Sequence, residues 1–152
     1  MENHKTWFIV GDVDTPICCT MRIYLTHCSA KKNDGFKDKQ IEVPPDRLYT
    51  AAPTVRFMER CKAAGVPWAI LSDKYGVWFP SVKHRWYEKS PDTVTQEELQ
   101  RLIENINDKL QVYDEIFFYH NPGRFHPLYQ KVIDHSSLTD RITKISHLTE
   151  IV

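Results

Sequence analysis

The chain has 152 residues, which suffices for one domain with a substantial core but is short for two. Hydrophobic residues make up 41% and charged residues 26%, a composition typical of a globular protein rather than a disordered one. Twenty basic residues balance twenty acidic ones, which excludes a strongly polybasic binder but leaves a local basic patch open.

The apolar stretches are short. None approaches the roughly 18 residues that a membrane span requires. The N-terminal stretch covers only residues 7–10, which is too short for the core of a signal peptide. We therefore expect a cytoplasmic protein with no membrane partner, whose four cysteines are reduced thiols.

The first predicted elements are strands. Residues 6–10 predict a short strand, and residues 22–26, rich in β-branched and aromatic side chains, predict a stronger one. Since Met21 offers an internal start site, residues 1–20 are expected to be an N-terminal appendage or an extra strand, with the α/β domain at 21–152. Residues 31–46 are polar and predict a long exposed loop.

A helix is predicted next. Pro53 suits its first turn and Gly65 its C-terminal cap, with Thr50 as the candidate N-cap. A buried strand at 68–72 and an aromatic loop at 75–85 follow.

The strongest helix pattern opens with Thr95 and Glu98, which are spaced as a capping box. This helix is expected near Gln96 to Leu110, with one buried face formed by Leu99, Leu102, Ile103, Ile106 and Leu110. The remaining predicted elements are a strand at 115–119, a helix at 128–133 and a strand at 142–145.

Strands that are apolar throughout alternate here with amphipathic helices. That alternation predicts a single three-layer α/β/α domain with a mainly parallel central sheet. Right-handed crossovers place the carboxyl ends of such strands at one edge, where ligands bind.

Polar side chains follow three of the predicted strands and converge on that edge. They are Cys28, Ser29, Lys31 and Lys32 after the first, Ser72 and Lys74 after the second, and His120, Asn121 and Arg124 after the third. Lysines bind phosphate or carboxylate groups, or act as base or nucleophile when desolvated. If Lys31 and Lys74 share a pocket, repulsion should lower the pKa of one of them.

Each candidate also has a structural explanation. Cys28 is a nucleophile if a cationic neighbour lowers its pKa, and otherwise an inert apolar side chain. Arg47 is a candidate binding residue, and Tyr49, two residues later, either stacks on a base or fills the core. The cluster of aromatic and cationic side chains at 78–87 suits base stacking, or is a loop packed on its own rings. Spacing supports no metal site, and no cofactor motif is present.

Three motifs resemble a known family. Residues 26–32 (Thr-His-Cys-Ser-Ala-Lys-Lys) resemble the Cys-Ser-x-Lys-Lys motif of a domain in archaeosine synthase and archaeal tRNA-guanine transglycosylase-like proteins. Small prokaryotic and phage proteins share this motif, followed by Leu-Tyr-Thr and Leu-Ser-x-Lys-Tyr-Gly segments. Here those segments are residues 48–50 and 71–76, so the resemblance covers about residues 22–87.

The resemblance implies a uracil-DNA glycosylase-like fold and work on a nucleobase. It adds Tyr75 to the candidate binding residues. Residues 86–88 (Trp-Tyr-Glu) stand where the group often has a Pro-Tyr-Asp-like stretch, which makes Glu88 a candidate acid or base. After the third strand, where the group often has a Gly-x-x-Tyr pattern, residues 119–124 are Tyr-His-Asn-Pro-Gly-Arg. The archaeal RNA-binding module and barrel have no counterpart in these residues, so lysine transfer to tRNA is not carried over.

Three hypotheses follow. The first is a nucleobase- or nucleotide-directed enzyme performing base modification, transfer or glycosidic-bond chemistry. Its candidate catalytic residues are Cys28, Lys31, Lys74 and Glu88. The second is a non-catalytic module that binds a nucleotide or a nucleic acid. The third is an interaction domain, which needs no ligand-sized pocket at the strand ends.

Overall fold

A computed structural model describes residues 20–120 and 125–152 of the chain. The described strands are β1 Arg22–His27, β2 Glu42–Val43, β3 Trp68–Ser72, β4 Gly76–Trp78, β5 His84–Arg85, β6 Glu115–Tyr119 and β7 Ile142–Ile145. The described helices are α1 Pro45–Leu48, α2 Ala52–Ala64, α3 Gln96–Lys109 and α4 Pro127–His135. The predicted strand at 6–10 lies outside the described residues, and the division at residue 20 stays a prediction.

Five strands form the central sheet, in the order β4-β3-β1-β6-β7. The pairs β1–β3, β1–β6 and β6–β7 are parallel, and the edge strand β4 is antiparallel to β3. The predicted α/β fold with a mostly parallel sheet is therefore confirmed. All five residues of β3 are buried, which explains why this strand is apolar throughout.

The direction of the crossovers determines which face each helix covers. The connection through α2 runs from β1 to β3 in one direction along the sheet, and the connection through α3 runs back past β1 to β6. Because such connections are right-handed, α2 lies on one face and α3 on the other. Helices α3 and α4 contact each other. The strand order reverses between β1 and β6, which is where doubly wound sheets bind ligands.

The longest predicted helix is confirmed as α3, with Thr95 and Glu98 forming the capping box. Leu102, Ile103, Ile106 and Leu110 are buried, whereas Leu99 is only partly buried against the core. No helix in the described residues is both long and apolar enough to span a bilayer. Helix α2 ends at Gly65 (φ 68°) as predicted, but its N-cap is Ala51 rather than Thr50.

Two segments predicted as loops contain short strands. Strand β4 lies inside the predicted aromatic loop, and β2 of the predicted 31–46 loop pairs with β5 in a separate antiparallel ribbon. A bridge between Lys32 and Tyr49 also ties this loop to the domain. Pairings of two or three residues are too short to leave a periodic sequence pattern, so only tertiary contacts reveal them.

Candidate functional site

A cleft of about 1010 Å³ lies at the carboxyl edge of the sheet, which we call the strand-end cleft. Small-molecule sites are typically about 300–1,000 Å³, so the cleft has room for a nucleotide-sized ligand. It is lined by the end of β1, the turn between β3 and β4, residues 88–91 and 93, four residues of α3 between Glu98 and Asn105, and the start of α4. The pocket that the enzyme and binder hypotheses require is therefore present.

Three buried side chains converge where β1, β3 and α4 meet at the cleft. The Cys28 sulfur lies 3.2 Å from the Tyr129 hydroxyl and 3.6 Å from Oδ1 of Asp73. The backbone N–H of Asp73 also donates to this sulfur, at 3.4 Å. Cys28 and Asp73 directly follow the parallel strands β1 and β3, which brings them together although 45 residues separate them.

Asp73 is the most unusual of these side chains. Its residue is only 3% exposed, and Oδ2 is a buried oxygen with no hydrogen-bond partner. Burial raises the pKa of the Asp73 carboxyl, an effect that the Cys28 hydrogen bond and the charges of Lys32 and Lys89 oppose. An unsatisfied polar atom of this kind is costly in a native core, so the Asp73 carboxyl beside the cleft is a candidate ligand-binding group.

The raised pKa makes stability depend on pH. The folded state holds the Asp73 proton to a higher pH than the unfolded chain, whose carboxyl has the ordinary pKa of 3.8. The resulting stabilisation is fully present below that unfolded value and is lost as the pH rises through the folded pKa. We therefore expect the wild-type protein to lose stability relative to Asp73→Asn as the pH rises from the unfolded pKa of Asp73 to its folded pKa, as measured by urea unfolding at a series of pH values. A difference that stays constant with pH contradicts the assignment.

Cys28 does not have the features of an activated nucleophile. Burial, followed by the nearby Asp73 charge, raises its pKa to about 11, against 9.0 for an ordinary thiol. Thiolate chemistry requires the opposite shift. Cys28 is therefore a protonated thiol at neutral pH, and its role in this geometry is to donate to Asp73.

A second buried network lies beside the cleft. The Ser72 hydroxyl donates to the Tyr87 hydroxyl at 3.1 Å, and the Tyr87 and Tyr49 hydroxyls are 2.5 Å apart. Ser72 also accepts the backbone N–H groups of Lys74 and Tyr75, at 3.1 and 3.0 Å, and so fixes the turn that carries both. Tyr49 is 1% exposed, which excludes it from stacking on a ligand and makes it a core residue.

The predicted cations are separated by the structure. Lys74 lines the cleft, but Lys31 is exposed and does not, so the expected pairing of these two lysines in one pocket is not formed. Lys32 instead lies with its Nζ 4.4 Å from the centroid of the Tyr87 ring. Arg47 lies over the ring of Phe36, away from the cleft lining.

Other predicted residues also reach the cleft. Glu88, Ser29 and Tyr75 line it, and Ser29 accepts a hydrogen bond from the Thr54 hydroxyl at 3.2 Å. Tyr75 stacks on His84 with 3.9 Å between ring centroids. Glu88 is exposed, which leaves it free to contact a ligand.

The predicted third loop contributes less than expected. His120 is half-buried beside Phe125, with 5.4 Å between ring centroids, and does not line the cleft. Asn121 and Arg124 lie outside the described residues. This edge of the cleft is lined instead by His126 and Tyr129, from the start of α4.

His27 is a cleft residue that the sequence prediction did not include. Its Nδ1 lies 2.9 Å from the Cys28 carbonyl oxygen. A carbonyl only accepts, so Nδ1 carries the proton in the neutral ring and Nε2 carries the lone pair. Burial lowers the pKa of His27, opposed by the hydrogen bond to Cys28. The ring stacks on Tyr129 at 5.1 Å, which fixes its orientation.

The described residues contain no cluster of three or more histidine, cysteine, aspartate or glutamate side chains able to hold a metal ion. No family model, curated protein or solved structure matches this chain.

Proposed function

We propose that the protein is an enzyme that acts on a nucleobase, in a nucleotide or a nucleic acid, by proton transfer in the strand-end cleft. The observation that carries this proposal is the buried Asp73 carboxyl, with its unsatisfied Oδ2 beside the cleft. Nucleobases present N–H donors and ring acceptors along one edge, and a carboxyl group matches either, according to its protonation state.

Asp73 and His27 form a candidate acid–base pair. Both line the cleft and both adjoin Cys28, one through the thiol and the other through the backbone carbonyl. Burial raises the pKa of Asp73 and lowers that of His27, so each neutral form is favoured. A neutral carboxyl donates a proton and a neutral imidazole accepts one, so the two side chains together can supply the acid and the base of a proton transfer.

The anionic part of the ligand has its own candidate partner. The exposed ammonium group of Lys74 lines the same cleft, on the turn that Ser72 fixes. A lysine held by a rigid turn binds a phosphate as a point charge. The base would then reach toward Asp73 while the phosphate stays at the rim beside Lys74.

The sequence motifs support the same proposal. Two motifs of the resembling family, residues 26–32 and 71–76, contribute Cys28, Ser29, Lys74 and Tyr75 to the cleft lining. The uracil-DNA glycosylase-like fold that they imply is compatible with the mostly parallel sheet and its helices. The proposal therefore includes a uracil-DNA glycosylase-like fold. The alternative is a module that binds the same ligands without chemistry, favoured by the absence of an activated thiol at Cys28.

Binding of 5′-mononucleotides to Lys74→Ala tests the phosphate contact. We expect the four common nucleoside 5′-monophosphates to bind the wild type, and the tightest to lose at least about tenfold in affinity in the variant, since a charged hydrogen bond contributes about 1.5–3 kcal/mol. Titration calorimetry measures both, with the free nucleoside as the ligand control. Lys109→Ala, an exposed lysine at the far end of α3, is the matched protein control.

Product analysis separates the enzyme from the binder. Single-stranded oligonucleotides incubated with the protein and examined by mass spectrometry should show hydrolysis: either base release, in which water adds to the sugar carbon as the bond to the protonated base breaks, or a mass change in which water replaces a substituent of the base. Binding without any product supports the binding module. Nucleotide affinity that is equal in Lys74→Ala and Lys109→Ala contradicts the proposed phosphate contact.

A further inference from the structure

Four cations in the segments 32–47 and 74–75 lie over aromatic rings, and we call them the cation row. A positive charge is attracted to the face of an aromatic ring, so such contacts hold a flexible side chain in place. The distances from cation to ring centroid are 5.5 Å for Lys74 over Tyr75, 4.4 Å for Lys32 over Tyr87, 5.4 Å for Lys37 over Trp86 and 5.2 Å for Arg47 over Phe36.

The cation row runs outward from the cleft. Lys74 lines the cleft itself, and the ring beneath Lys32 belongs to Tyr87, whose chain neighbour Glu88 is a lining residue. The ring beneath Lys37 belongs to Trp86, which precedes Tyr87 in the chain. Antiparallel pairing of β2 with β5 holds the segment of residues 31–47 beside the segment of residues 83–89. The cations Lys32 and Lys37 belong to the first segment, and the rings beneath them belong to the second.

These cations are not neutralised by acidic neighbours. Within the described part of the chain, none of the four lies within 4 Å of a carboxylate, whereas Lys62 pairs with Asp46 at 2.8 Å and Lys89 pairs with Glu98 at 3.3 Å. Residues 31–47 and 83–89 together contain eight lysines and arginines against five acidic residues, although the whole chain is neutral. These two segments therefore carry a positive excess that the rest of the chain offsets.

We propose that the substrate is a single strand of nucleic acid whose backbone follows the cation row while one base enters the strand-end cleft. The inference rests on the proposed function, because the entering base is the group that Asp73 recognises. An anionic polymer complements a row of separate, ordered cations, whereas a mononucleotide needs only Lys74. A base must leave its duplex stack to reach a buried carboxyl, which favours a strand that is already unpaired.

The test compares ligands of increasing length on matched variants. Fluorescence anisotropy measures binding of single-stranded DNA and RNA of about twelve nucleotides, within the usual range for single-strand sites, and of the corresponding duplex. Lys37→Gln/Arg47→Gln removes the outer half of the row from exposed positions that leave the core intact. Lys109→Gln/Lys131→Gln removes two exposed lysines from α3 and α4 and is the control for net charge.

We expect the wild type to bind the single strand at least about tenfold more tightly than a 5′-monophosphate, because it adds phosphate contacts. Lys37→Gln/Arg47→Gln should reduce the slope of log affinity against log salt by about 1.4, since each lost phosphate contact on a single strand contributes about 0.7. Mononucleotide binding should not change in this variant, and the control variant should match the wild type with every ligand.

Each contrary outcome identifies what is wrong. Equal affinity for the single strand and the mononucleotide overturns the cation row and leaves the proposed function standing. Tight single-strand binding that Asp73→Asn and Lys74→Ala do not alter overturns the cleft as the base site. Duplex binding as tight as single-strand binding, or equal binding of polyglutamate, overturns the inferred class of substrate. Absence of binding to every ligand overturns both proposals.

Discussion

Asp73→Asn should greatly reduce the proposed activity and leave the fold of the protein intact. Acid–base catalysis by one side chain contributes about 10²–10⁴-fold in rate, and asparagine neither gains nor loses a proton, so we expect at least about a hundredfold loss of turnover. Stability at neutral pH should not fall, because the variant no longer buries an ionisable carboxyl. Groups that serve catalysis at the cost of stability commonly behave in this way.

Mass spectrometry of the product measures turnover, and urea unfolding of the same preparations measures stability. Asp108→Asn changes the same functional group at an exposed position near the end of α3 and should match the wild type in both assays. His27→Gln should also lose turnover, if Asp73 and His27 act as a pair. Full activity in Asp73→Asn would show that the buried carboxyl has only a structural role.

Gly76→Ala should destabilise the protein by about 2–4 kcal/mol, the sum expected for a strained backbone and one lost hydrogen bond. Gly76 has φ 75°, which side-chain-bearing residues rarely adopt. An added Cβ would lie 2.4 Å from Oδ1 of Asn105, so the amide must move. That oxygen accepts the Val77 backbone N–H at 2.9 Å and ties β4 to α3, so the movement breaks a tertiary contact.

Gly65→Ala is the matched control. Gly65 has a similar φ of 68°, but an added Cβ meets nothing within 4 Å. This variant should lose only about 1 kcal/mol, from backbone strain alone. The difference between the two variants, measured by urea unfolding, isolates the contact with Asn105. Equal losses contradict this explanation of Gly76.

The pH dependence of turnover follows from the same two cleft residues. The proposed reaction requires a protonated Asp73 and a neutral His27, and burial favours both forms. The profile should be limited at high pH by loss of the Asp73 proton and at low pH by protonation of His27.

Local sequence was sufficient to predict the main elements. The apolar segments of β1, β3 and β6 and the capping box of α3 are visible in short windows, because burial on both faces and helix capping each demand particular residues locally. The edge of the sheet that carries the candidate site could also be predicted, because parallel strands with right-handed connections end at one edge. Cys28, Ser29 and Lys74 were found in this way, and Tyr75 and Glu88 were added by the family resemblance. The structure places all five in the cleft lining.

Only the tertiary structure decided that Lys32 rather than Lys31 lies over the Tyr87 ring, and that Asp73 is buried. Lys31 and Lys32 are adjacent and chemically identical, and the bridge of Lys32 to Tyr49 is what directs one of them over the Tyr87 ring. Asp73 lies in a Ser-Asp-Lys turn, and the carboxylate of a turn aspartate is usually solvated. It is buried because Cys28, 45 residues away, packs against it, while Tyr129 on α4 covers the thiol. The pKa of a carboxyl depends on what surrounds it in three dimensions, which no short window of sequence contains.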